Sequence, residues 1–98
     1  MDLRLSLIIP LYNRPEEIKE LLESLCLQSI SDFEVLVIED GSQVKSEAIV
    51  RSFMDRLDLH YYYKANSGPG QSRNYGAERA QGNYFIFLDS DCIIPPKY

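Results

Sequence analysis

Four short apolar runs alternate with three stretches of helical periodicity along these 98 residues, and that alternation leaves few folds open. The runs are residues 3–11 (LRLSLIIPL), 33–38 (FEVLVI), 59–64 (LHYYYK) and 84–88 (YFIFL). Each is of strand length, too short for a buried helix. After the first run, Ile18, Leu21, Leu22, Leu25 and Cys26 recur at i, i+3, i+4, i+7 and i+8, the apolar face of a helix that Pro15, Glu16 and Glu17 open. A second helix is expected over Val44, Ile49, Val50, Phe53, Met54 and Leu57 with Ser42 as its cap, and a third over residues 71–80, closed by Gly82 as a C-cap. The resulting order, βαβαβαβ, predicts an α/β fold: a Rossmann-like parallel sheet with right-handed crossovers and helices on both faces. Pro10 is expected to end the pairing of the first strand. The third strand alternates like a sheet edge with one wet face, where His60 has no acidic or cysteine neighbour in view, and the fourth reads as a strand covered on both faces.

In such sheets ligands bind outside the carboxyl ends of the strands. That rule puts residues 10–13, 40–42, 66–70 and 89–91 on one rim. The last of these is the most pointed: Asp89 and Asp91 follow the apolar run 84–88, and the two-residue period of an extended chain aims both carboxylates one way with Ser90 between them. Two carboxylates so close repel unless a cation lies between them, and Mg²⁺ is commonly held by one or two carboxylates plus substrate phosphates. A solvated strand exit with Asp89 capping a turn is the plain alternative. Asp40 ends a buried strand, where it can accept from a nucleobase N–H or a ribose hydroxyl, or simply make an Asp-Gly turn with Gly41. Tyr12 can stack on a base or pack on the first helix. Gly68 and Gly70 permit close backbone approach, and Arg73 can reach a phosphate or pair with Glu78.

The composition excludes several classes. A net charge of -5 argues against nucleic acid as a main partner, since phosphate backbones demand a basic face. Two cysteines, Cys26 and Cys92, make neither a disulfide framework nor a zinc site, and Cys26 falls on an apolar helix face as a small core residue. No run approaches the roughly 18 apolar residues of a membrane helix. The start lacks the features of a signal peptide, so a cytoplasmic location is expected, with membrane association open to the full-length protein.

The ordered succession IIPLYN at 8–13, FEVLVIEDGS at 33–42, Asn66 with Gly68, Arg73-Asn74 with Gly76, Ala80 and Gly82, and FLDSD at 87–91 resembles the donor-binding half of family 2 glycosyltransferases over nearly the whole chain. The resemblance implies the N-terminal, nucleotide-sugar-binding half of an A-type glycosyltransferase fold. By it, the candidate donor-binding residues are Pro10, Tyr12, Asn13, Asp40, Gly41, Ser42, Gly68, Arg73, Asp89 and Ser90. Tyr12 would pack on the base, Asp40 would hold it, and Arg73 would lie near the diphosphate or base. Asp91, with Asp89, would hold a divalent metal, Mn²⁺ or Mg²⁺, with Asp89 also a partner of the ribose. The chain departs from the family's habit at Glu39, where Asp is frequent, and at Cys92, where a further Asp is frequent.

The implied reaction is transfer of a sugar, usually with inversion, from a nucleotide diphosphate to an acceptor hydroxyl, in polysaccharide or cell-envelope glycan synthesis. UDP is the preferred nucleotide, since Asp40 can accept from the uracil N–H, and the acceptor would be a glycan or lipid-linked glycan. The general base belongs to the half that follows the Asp-x-Asp acids, so no catalytic residue is assigned here, and the 98 residues are expected to be a truncated piece of a longer enzyme. Its fourth strand would be left at the sheet edge, inviting self-association. A dehydrogenase half needs Gly-x-Gly-x-x-Gly after the first strand, where this chain has PLYNRP at 10–15. An aspartyl-nucleophile phosphatase also runs an apolar strand into Asp-x-Asp, but there the motif opens the domain. A non-catalytic nucleotide-binding or interaction module is the remaining alternative.

Overall fold

The residues of β2, Phe33–Asp40, are all buried, and the sheet is assembled on them and on β1, Leu5–Leu11. The computed structural model describes residues 4–12, 15–27, 33–41, 46–65, 68–82 and 84–88. Four strands pair in the order β3-β2-β1-β4, all parallel, with β3 at Leu59–Lys64 and β4 at Tyr84–Phe87. Helices α1 (Pro15–Cys26), α2 (Glu47–Arg51) and α3 (Pro69–Arg79) form the crossovers, as the alternation predicts. Among the described residues no helix is long and apolar enough to cross a membrane.

Side-chain parity divides the core in two. Leu7, Ile9, Leu11, Val35, Val37 and Leu59 meet Ile18, Leu21, Leu22 and Leu25 of α1 together with Val50 and Phe53. Across the sheet, Ile8, Leu36 and Ile38 pack with Tyr62 and with Tyr75, Ala77 and Ala80 of the α3 segment. Each large aliphatic side chain withdrawn from water stabilises by roughly 1.5–3 kcal/mol, so the α1 stripe alone outweighs any hydrogen bond in the fold. Cys26 is partly buried against the first core, and that burial raises its thiol pKa while the charge of Arg56 pulls it back less.

Several expectations are corrected. The β1 ladder runs past Pro10, which stands opposite Ile38, to Leu11. Residues of its parity bond toward β4: Arg4 O accepts from the Tyr84 N–H and Ile8 O from the Leu88 N–H. The missing proline donor therefore costs nothing on the β2 side. β4 is an edge strand, with Tyr84, Phe85 and Phe87 exposed by 61%, 44% and 46%; only Ile86 and the following Leu88 pack against the core. Among the described residues its strand neighbour is β1, and α3 lies over β1 and β2. The second helix starts after Ser46, which makes no side-chain cap bond, and the apolar positions Phe53 and Met54 fall in hydrogen-bonded turns beyond it. Ser42 and Val44 lie outside the described residues.

Gly82 is not a C-cap, because α3 ends at Arg79 and leaves through an extended Ala80 at ψ 140°. Its reason for being glycine is space: a Cβ there would stand 2.5 Å from Ser6 Oγ and 2.7 Å from Arg4 O. Gly76 answers a similar need within α3, where a Cβ would come 2.5 Å from Ile8 Cγ2.

Candidate functional site at the carboxyl rim

Parallel pairing brings the carboxyl ends of all the strands to one rim. β1 ends in buried Leu11 and is followed by Tyr12, 48% exposed. β2 ends in Asp40 and turns at Gly41, whose φ of 66° is the left-handed conformation that glycine adopts without steric cost. β4 reaches the same edge, its ladder continued by the Leu88 N–H donating to Ile8 O at 3.0 Å. The segment entering α3 lies there too: Gly68 has φ 98°, and a Cβ would meet nothing within 4 Å, so the demand on it is conformational.

Asp40 is the centre of this rim. Its Oδ1 accepts from Lys64 Nζ at 2.6 Å, and its Oδ2 from the Gly68 N–H at 2.9 Å. The carboxylate is thus oriented by the end of β3 on one side and by the mouth of α3 on the other. Lys64 was not among the residues expected from the sequence; only the β2–β3 register, which sets Asp40 opposite Lys64, reveals the pairing.

Glu39, one residue earlier, points to the other face, fully buried. Its Oε1 accepts from the Ser46 N–H at 2.8 Å and from the Tyr61 hydroxyl at 2.7 Å, while Oε2 has no partner among the described residues. Burial first, and then the bond to Glu39, push the Tyr61 phenol pKa far up. Glu39 therefore anchors the start of α2, and alternation alone separates its role from that of Asp40.

Arg73 is half-buried on α3 and makes no ion pair among the described residues. Glu78, the partner considered for it, stands nearer Arg79, at 3.9 Å. Pro10 is half-buried at the end of β1. Asn13, Ser42, Asp89, Ser90 and Asp91 lie outside the described residues, so the expected metal ligands receive no geometry here. As a donor set, two carboxylates suit the hard cations Mg²⁺ and Mn²⁺.

A different acidic group occupies the opposite end of the sheet. Glu34 Oε1 and Asp58 Oδ1 stand 3.6 Å and 3.1 Å from His60 Nε2, and Asp58 also pairs with Arg4. His60 thus has two acidic neighbours, contrary to expectation, because the β2–β3 register carries Glu34 beside it. These three side chains gather within metal-ligand spacing, but six strand residues, about 20 Å, separate Glu34 from Asp40. They are not part of the rim. Glu34 Oε2 is occupied instead by the Ser6 hydroxyl at 2.6 Å and by the N–H groups of Gln81 and Gly82 at 2.6 and 3.2 Å.

The sequence model described as Glycosyl transferase family 2 matches residues 6–98. An uncharacterized glycosyltransferase of Rickettsia typhi is 37% identical over 92 residues, covering 94% of this chain and 28% of the relative. Among solved structures, S. aureus TarS (residues 1–349) in complex with UDP-GlcNAc superposes with a TM-score of 0.85 at 38% identity, covering 91% of this chain and 27% of that one. The mannosyltransferase PcManGT from Pyrobaculum calidifontis, in complex with GDP-Man and Mn²⁺, superposes with a TM-score of 0.80 at 26% identity, covering 94% and 28%. The chain therefore spans under a third of the length of these relatives.

Proposed function

The chain belongs to glycosyl transferase family 2, and from that premise we propose that it is the nucleotide-sugar-binding half of an inverting, metal-dependent glycosyltransferase. The observation that supports this most is the convergence of Tyr12, Asp40, Gly41 and Gly68 on one rim of a parallel sheet. In this reading the base lies between the exposed Tyr12 ring and the Asp40 carboxylate. The diphosphate lies toward Gly68 and Arg73, where the N-terminal end of α3 favours negative charge. Asn13, Ser42 and Ser90 complete the donor site, and Asp91 with Asp89 holds Mn²⁺ or Mg²⁺.

UDP is the preferred nucleotide, a choice supported by the UDP-GlcNAc complex of TarS, and a metal by the Mn²⁺ complex of the archaeal mannosyltransferase. The metal would neutralise charge developing on the departing diphosphate. The chain's own residues bind and orient: Asp40 accepts from the base, and the glycine backbone before α3 admits the diphosphate closely. The acceptor hydroxyl, on a glycan or lipid-linked glycan of polysaccharide or envelope synthesis, gives its proton to a general base outside residues 1–98. These residues bind donor in the cytoplasm and do not transfer sugar unaided.

Calorimetric titration of UDP, GDP and CDP into the chain, with Mn²⁺ or with chelator, tests the proposal. Metal-dependent binding of UDP that is lost in Asp91→Ala is the expected result. Equal binding with chelator, or an Asp91→Ala variant indistinguishable from wild type, would remove the metal from the reading.

A further inference from the structure

We infer that Lys64 is a positioning residue of the donor site, holding the Asp40 carboxylate ionised and oriented for the base. The inference rests on the donor-binding reading above and deepens it, since Lys64 belongs to none of the motifs that led there.

Lys64 closes β3 in register with Asp40, the last residue of β2. Both stand on the α3 face, the face on which Ile38 and Tyr62, two residues earlier on each strand, pack together. Their side chains are only 11% and 7% exposed. Burial at that depth disfavours the charged form of a carboxylate. The ammonium at 2.6 Å reverses that preference, and Lys64 is itself kept in place by donating to Ala65 O at 3.0 Å. With the Gly68 N–H on the other oxygen, the carboxylate is set in one orientation before any base arrives. A protonated Asp40 would offer a hydroxyl donor where a base N–H needs an acceptor, so ionisation is a condition of recognition.

Among the described residues, Lys64 is the cation that stands in register with Asp40. On the described parts of the packed elements the other ionisable side chains are Tyr62 and Tyr63 on β3, Arg73, Tyr75, Glu78 and Arg79 on α3, and Tyr12 after β1. Glu39 faces the opposite side of the sheet. His60 lies four residues back along β3, about 13 Å away.

The test has two arms. Carbon-detected NMR titration of the Asp40 carboxyl needs no ligand: Lys64→Met should raise its proton affinity by about a hundredfold, and Lys64→Arg should restore it. UDP titration across pH is the second arm. Lys64→Met should bind UDP close to wild type at about pH 8.5 and about tenfold more weakly at about pH 5.5, with wild type and Lys64→Arg nearly flat. In an Asp40→Asn background, Lys64→Met should change UDP affinity by less than about twofold, because its effect passes through the carboxylate. An Asp40 titration unmoved by Lys64→Met, or tighter UDP binding in that variant, overturns the inference alone. A shifted Asp40 titration with UDP affinity indifferent to Asp40→Asn overturns the role of Asp40 in the donor site, and with it the positioning role of Lys64.

Discussion

At the carboxylate of Glu34, burial and hydrogen bonding pull in opposite directions. Desolvation of this 2%-exposed side chain raises its pKa, but the Ser6 hydroxyl, the N–H groups of Gln81 and Gly82, and the Arg4 charge together bring it below the ordinary 4.5. A depressed folded-state pKa stabilises the protein above the unfolded value and loses that contribution as pH falls through the folded one. Glu34→Gln is therefore expected to cost about 2 kcal/mol near neutral pH, with its deficit against wild type closing below pH 4.5. Urea denaturation at a series of pH values measures this. A deficit still undiminished near about pH 3 would show that the bonds matter and the charge does not. The same residue explains what was hidden in the sequence at this scale. Glu34 and His60 are 26 positions apart and meet only because β2 and β3 pair in parallel, as do Asp40 and Lys64.

Among the elements, α3 is seated most closely, through two glycines that meet different obstacles. An alanine methyl at Gly76 would press on the Ile8 side chain, which can turn, and helix propensity returns about 1 kcal/mol. At Gly82 the obstacle includes the Arg4 carbonyl, which cannot move without β1. Gly82→Ala is thus expected to lower stability by about 3 kcal/mol and Gly76→Ala by distinctly less. Thermal melts of the two variants decide it, and equal losses would contradict this account of the packing. Periodicity made the strands and helices readable, and strand parity made Asp40 stand out. Gly82 misled because a glycine after a helix reads equally as a cap or as a close approach. β4 misled because an apolar run reports what a strand can bury, whereas exposure depends on which elements lie beside it. The side of the sheet that a proline nitrogen faces, decisive at Pro10, leaves no mark in composition at all.

For the molecule as a whole, the open side of β4 and the net charge of -5 oppose each other. The exposed aromatic edge favours pairing with a second copy, and like charge resists it. Self-association is expected to rise with salt, as the screening length contracts from about 10 Å at 0.1 M to about 3 Å at 1 M. Phe85→Lys should shift the equilibrium toward monomer. Light scattering at high concentration measures both, and a wild-type chain that stays monomeric in high salt would refute the expectation. The two ends of α3 carry a further consequence. Asp40 grips the residue before the helix and Glu34 the residues after it, from one strand. The span of about 20 Å between those carboxylates works as a gauge for the helix, whose 11 residues rise about 16 Å and whose extended exit supplies the remainder. A one-residue insertion in α3 would rotate the Gly68 amide about 100° from its seat. The carboxyl rim is thus dimensioned from the far end of the sheet, and an error in length at one end would be read out at the other.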